Sequence, residues 1–172
     1  DNAAISETTL PQPTSYYGLA KFASEKLLEK VLPKNLVVIR PPVIYGKGDI
    51  PAYGPSGFLH AAQSHESINI WGDGSEKREF IFVDDVVVLV QQLLFSDYTG
   101  NLNIVSGESY SYLEIIDTLK AITQLPLNVT FRERTQPKVD HHFNNQKLKN
   151  LFPSFVFTPL SEGIEKMYTL GL

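Results

Sequence analysis

Four consecutive apolar residues, Leu36-Val37-Val38-Ile39, constrain this chain more than any other feature. A strand wetted on one face alternates apolar and polar side chains. This run does not alternate and is rich in β-branched residues, which suits a parallel strand covered on both faces by helices. The residues before it read as one of those helices. Thr14 or Ser15 can cap a helix over Tyr16–Val31, where Leu19, Phe22, Ala23, Leu27 and Leu28 recur at helical spacing. Pro33 ends that helix, and Pro41 and Pro42 end the strand. A helix followed so closely by such a strand is one α/β unit of a layered parallel sheet.

The remainder reads as a mixed α/β lobe without clean alternation. Tyr45–Gly57 holds four glycines and two prolines and is expected to be a long loop. A short helix over Phe58–Ser64, a strand over Ile68–Trp71, a turn at Gly72-Asp73-Gly74 and an extended segment over Glu79–Val83 follow. Asp84 or Asp85 can cap a helix running to Phe95, whose Val86–Val90 run reads as buried core. Then come a strand over Asn101–Val105, a helix over Ser111–Thr123, a strand over Val129–Phe131, and helices over Asn145–Leu151 and Leu160–Leu170.

Composition removes several classes of function. The chain has 172 residues, 42% of them apolar and 20% charged, as in a folded soluble domain. A net charge of −4 argues against a nucleic-acid partner. No apolar run approaches the roughly 18 residues that cross a membrane. With no cysteine, disulfides and thiol chemistry are excluded. His141-His142 has no accompanying ligand cluster and reads as a solvated pair, so no metal site is expected.

Tyr17 and Lys21 stand four apart and so share one face of the first helix. An ammonium beside a phenol favours the phenolate, which makes the pair a candidate base for an alcohol proton. Alone it is a weak motif, because surface pairs of this spacing are common. Its context is more specific. Tyr17-Gly18-Leu19-Ala20-Lys21-Phe22-Ala23-Ser24-Glu25 is followed by Arg40-Pro41-Pro42-Val43-Ile44-Tyr45-Gly46. Trp71-Gly72-Asp73-Gly74-Ser75-Glu76-Lys77-Arg78-Glu79-Phe80, Val83-Asp84-Asp85-Val86 and Asn103-Ile104-Val105-Ser106-Gly107 come next.

These five ordered blocks resemble the C-terminal half of the extended short-chain dehydrogenase/reductases. The likeness is greatest to nucleotide-sugar epimerases and dehydratases such as the UDP-galactose 4-epimerases, and runs from about Pro11 to Gly163. The resemblance implies the last α/β unit of a Rossmann-type parallel sheet over residues 1–45 and a substrate-binding lobe over 46–172. It implies NAD as cofactor and a nucleotide-diphosphate sugar as partner. Tyr17 would be the catalytic base, and Lys21 would hold the nicotinamide ribose. Pro41 and Pro42 would lie against the nicotinamide. Val43, Asn69, Ile70 and Trp71 would line the nucleotide sugar, and Arg78 and Arg134 would grip its diphosphate. Paired planar donors with a permanent charge suit that task. Each arginine has an ordinary alternative in an ion pair with a neighbouring acid such as Glu79 or Glu133.

The resemblance further implies a 4-epimerase acting by transient oxidation to a keto-sugar. A 4,6-dehydratase or reductase, or a non-catalytic nucleotide-sugar binding module, stand as alternatives. A homodimer through the Tyr17 helix and a cytoplasmic setting follow from the same likeness. This chain departs from the family at Val43, where asparagine is frequent, and at Pro137, where an acid is frequent. It also carries no glycine-rich turn between a strand and a helix. With Asp1 first and Met167 the only methionine, the expectation is a piece of a longer protein whose dinucleotide-binding part lies upstream. Alone, such a piece is expected neither to bind NAD stably nor to turn over substrate.

Overall fold

The Ser15 hydroxyl accepts a hydrogen bond from the Gly18 N–H at 3.1 Å and so starts helix α1, Tyr16–Val31. The structure, a computed structural model, describes residues 4–50 and 54–171. After α1 the chain runs through β1 (Val37–Arg40), β2 (Val43–Tyr45), α2 (Gly54–Gln63), β3 (Ser67–Trp71), β4 (Lys77–Arg78) and β5 (Phe80–Phe82). It continues as α3 (Val83–Leu94), β6 (Gly100–Asn103), β7 (Tyr110–Ser111), α4 (Tyr112–Thr123), β8 (Asn128–Arg132), α5 (Gln146–Leu151) and α6 (Leu160–Leu170).

Three strand pairs are parallel: β1 with β6, β2 with β5, and β3 with β8. Among the described residues the short β4–β7 pair alone is antiparallel. Val37 lies opposite Gly100 and Arg40 opposite Asn103, so the first α/β unit takes its strand partner from far along the chain. The N-terminal segment is held in the same way. Ile5 exchanges backbone hydrogen bonds with His142 and Asn144, and the Glu7 carboxylate accepts from the Asn103 N–H.

The larger apolar core gathers Phe58 and Leu59 of α2, Ile68 and Ile70 of β3, Phe80 and Phe82 of β5, Ile115, Ile116 and Leu119 of α4, and Ile164 and Met167 of α6. A smaller core joins Leu89 and Leu93 of α3, Leu102 of β6, Ile104, and Leu148 of α5, with Val37 of β1 packed against it. Gly163 lets α6 approach β2, since a Cβ there would collide with the buried Tyr45 hydroxyl. Helix α4 carries a full capping box, Ser111 with Glu114. Among the described residues no helix is long and apolar enough to cross a membrane.

Several expectations are corrected. Helix α2 begins at Gly54 rather than Phe58, and its first turn is buried: Gly54, Pro55 and Ser56 are seated by packing, not propensity. Pro55 suits the first turn, where its missing N–H has no partner to lose. The rest of the expected loop's middle, residues 51–53, lies outside the described residues. Val43–Tyr45 is a strand because Phe80–Phe82 supplies its ladder. Asp84 and Asp85 do not cap α3: Phe82 is its N-cap, and both acids fall in the first turn. Asp85 instead accepts the Thr158 N–H at 2.8 Å and its hydroxyl at 2.9 Å. The Val86–Val90 run is only partly core, for Val87 and Val88 are exposed and Leu89 is buried.

Candidate functional site

Capping at Ser15 places Tyr17 in the first turn of α1 and Lys21 one turn on. The Lys21 ammonium lies 5.6 Å from the centre of the Tyr17 ring. Tyr17 is 75% exposed and faces a cavity of about 800 Å³. Lys21, Glu25, Arg40, Pro41, Pro42 and Val43 share that cavity, as do Ile39, Ile44, Asp49 and Ile50. Pro41 and Pro42 follow β1 and, with Ile39 and Ile44, give the cavity apolar lining. Arg40 and Glu25 form a two-pronged ion pair, with Nη2–Oε2 at 2.5 Å and Nε–Oε1 at 3.1 Å. Their charges cancel, and Glu25 holds the guanidinium still more firmly protonated. Lys21 has no carboxylate partner among the described residues, so it is the unneutralised cation of this cavity.

A second constellation forms around β3, β4 and the segment after β8. Strand β3 alternates, sending Ile68 and Ile70 into the core and Asn69 and Trp71 outward. Ile70 is 2% exposed, so only its backbone is available to a ligand. Arg78, on β4, and Arg134, just beyond β8, converge on one carboxylate. Glu76 accepts from Arg78 Nη2 at 2.6 Å and from Arg134 Nη1 at 2.7 Å. Arg78 Nη1 also donates to the carbonyls of Lys77 and Val139. Arg134 lies across Gly72, whose φ of +68° and missing Cβ make the space. Burial pushes the Glu76 carboxyl up, but the two guanidiniums outweigh it and leave the group below its ordinary range. Trp71, Glu76, Arg134 and the segment Thr135–Pro137 enclose a pocket of about 170 Å³ beside them.

The expected residues thus fall into two groups. Tyr17, Lys21, Pro41, Pro42 and Val43 share one cavity; Arg78 and Arg134 meet elsewhere and do not line it. The expected ion-pair partners Glu79 and Glu133 are replaced by Glu76, which the sequence reading passed over. Its signal was present: two residues before Arg78 in an extended segment, Glu76 shares its face. Glu79, one residue after, turns the other way and is 1% exposed. Its Oε1 accepts from the Ser106 N–H and hydroxyl and the Gly107 N–H, while Oε2 has no hydrogen-bond partner. Burial raises the Glu79 carboxyl above its ordinary value despite those bonds. His141 is partly buried and its imidazole pushed down. Among the described residues no three potential ligands cluster as a metal site.

The described residues thus combine parallel α/β strand pairs, a Tyr–Lys pair lining a cavity and two arginines meeting on one carboxylate. A sequence model of the NAD dependent epimerase/dehydratase family matches residues 1–104, and the chain belongs to that family. It is 36% identical over 98 residues to dTDP-4-dehydro-6-deoxy-D-allose reductase of Streptomyces bikiniensis, covering 54% of this chain and 29% of that one. It is 32% identical over 127 residues to GDP-mannose 3,5-epimerase 1 of Oryza sativa subsp. indica, covering 68% and 34%. The structure of UDP-glucuronic acid 4-epimerase from Bacillus cereus, in complex with UDP-glucuronic acid and NAD, superposes with a TM-score of 0.86 at 26% identity. That match covers 98% of this chain and 56% of the other, so the chain spans little more than half of it.

Proposed function

We propose that this chain carries the substrate side of an NAD-dependent nucleotide-sugar 4-epimerase, with residues 1–45 facing the dinucleotide and 46–172 the nucleotide sugar. The observation that supports it most is the Tyr17–Lys21 pair at the mouth of the large cavity. The fit to NAD rests on that cavity. Its volume is within the usual range for ligand sites, about 300–1,000 Å³. Ile39, Pro41, Pro42 and Ile44 offer apolar walls to a flat ring, and the Lys21 ammonium offers donors to ribose hydroxyls. When bound, NAD supplies the acceptor and later the donor of a hydride.

The chain's own residues do the rest. The Tyr17 phenol oxygen takes the proton of the sugar hydroxyl as that carbon becomes a carbonyl, and returns it once the sugar has turned. Tyr17 acts here as its phenolate, and the Lys21 charge, over the Tyr17 ring, offsets the negative charge that its oxygen carries until the proton arrives. Arg78 and Arg134 bind the diphosphate, and Asn69 and Trp71 present the outer face of β3 to the nucleotide. A homodimer through α1 is supported by its exposed Leu19, Leu27 and Leu28, and a cytoplasmic setting by the supply of nucleotide sugars there.

The test is to give the protein containing this chain NAD with UDP-glucose or UDP-glucuronic acid and follow the sugar by proton NMR. The C4 epimer is expected. UDP binding by calorimetry without any epimer would overturn the catalytic reading and leave a binding module. The 36% identity to the allose reductase favours a second reading, reduction of a keto-sugar, with Tyr17 donating the proton. Stoichiometric consumption of NADH, read by absorbance, separates it from epimerisation.

A further inference from the structure

Glu76 stands where a ligand phosphate would stand. Two guanidiniums from separate elements each take one of its oxygens, at 2.6 and 2.7 Å. A carboxylate so held presents two oxygens to two planar donors, as a phosphate group does. The side chains are mostly buried, 14% exposed for Glu76 and 21–22% for the arginines, so solvent screens the triad weakly. Asp73 lies 3.6 Å from Arg134, so two positive charges face two negative ones. Taken alone, the cluster of Arg78, Arg134, Glu76 and Asp73 carries no net positive charge. Glu76 and Arg134 also line the pocket under Trp71, which gives an incoming phosphate a route to the guanidiniums.

We propose that Glu76 is an internal competitor for the nucleotide's diphosphate: it holds Arg78 and Arg134 together in the empty protein and must release at least one of them for the ligand to bind. This rests on the reading of the two arginines as the diphosphate site. Glu76 then sets affinity without touching the reacting sugar. It orders both guanidiniums in advance, and the cost is one carboxylate to displace. Removing its charge while keeping its shape should tighten binding, because the ligand then displaces a neutral amide rather than a carboxylate.

The experiment is calorimetric titration of the protein containing this chain with UDP and, separately, with inorganic pyrophosphate, which lacks the base. Wild type, Glu76→Gln, Glu76→Ala and Arg78→Ala are compared, each first checked for an unchanged thermal unfolding curve. Glu76→Gln is close to isosteric and keeps the test open should Glu76→Ala fail to fold. Both Glu76 variants are expected to bind either probe about tenfold tighter than wild type, the size of one charge-assisted hydrogen bond released. Arg78→Ala should lose binding. Wild-type binding lost in Arg78→Ala but equal or weaker in Glu76→Gln would overturn the competitor role while the diphosphate site stands. Binding in neither wild type nor Glu76→Gln, or undiminished binding in Arg78→Ala, would overturn the diphosphate site and the competitor with it.

Discussion

Helices α1 and α4 make opposite use of apolar side chains. Helix α4 buries Ile115, Ile116 and Leu119 in the main core. Helix α1 has no fully buried residue, and Leu19, Leu27 and Leu28 stand exposed. The half-buried positions of α1 are Gly18, Phe22, Glu25 and Glu29, a stripe in which two of the four are acids. Its tie to β1 is correspondingly polar, the Glu25–Arg40 pair. Leu19, Leu27 and Leu28 are among the chain's exposed large apolar side chains, and a patch of this kind suits burial against another surface. The difference separates elements that share a closed core from a helix whose large apolar side chains meet solvent.

Truncation gives the largest contrast. Ile115→Ala should cost about 2–5 kcal/mol in urea unfolding, because it opens a cavity in a closed core. Leu27→Ala on α1 should stay within about 0.5 kcal/mol. Equal costs would break the contrast and mean that the outer face of α1 is covered in solution.

Acidity sharpens it further. The Glu79 carboxyl is raised by burial, so its protonated form is favoured in the folded state. Its contribution to stability is therefore full below the ordinary carboxyl value of 4.5 and is lost as pH rises through the higher folded value. The lowered Glu76 and Glu114 act in the opposite sense, losing stability as pH falls. Comparing Glu79→Gln with wild type isolates the Glu79 share: wild type should gain on the variant as the medium is acidified from neutral. A constant difference between their melting temperatures across that window would contradict a raised carboxyl.

The smallest effect concerns α1 itself. Glu25→Gln should speed amide hydrogen exchange along α1 about fivefold, the worth of a well-formed, partly exposed ion pair. Amides of α4 should not change. Faster exchange in both helices together would show one cooperative unit rather than two.

The first α/β unit was legible because its signals are local: a serine cap, a helical repeat, four apolar residues and two prolines. The start of α2 at Gly54 and the strand Val43–Tyr45 were not, since both depend on partners distant in sequence. The Tyr17, Lys21, Pro41, Pro42 and Val43 cavity was legible from the motif blocks. That Ile70 turns inward was not legible, because a strand's inward and outward faces are settled only when the core is known. The side of α1 that turns inward was not legible for a related reason. Leu19, Leu27 and Leu28 recur at helical spacing yet stand exposed, and the tie to β1 is the Glu25–Arg40 pair. Glu76 was passed over because the pairing of two arginines on one acid needs the meeting of β4 with the segment after β8.

The central claim is that the Tyr17 hydroxyl moves the substrate proton, and Tyr17→Phe in the protein containing this chain tests it most directly. Removing one oxygen from an exposed ring should leave the melting temperature and UDP affinity unchanged, while kcat falls by about 10²–10⁴. Turnover at the wild-type rate, with binding intact, would contradict it.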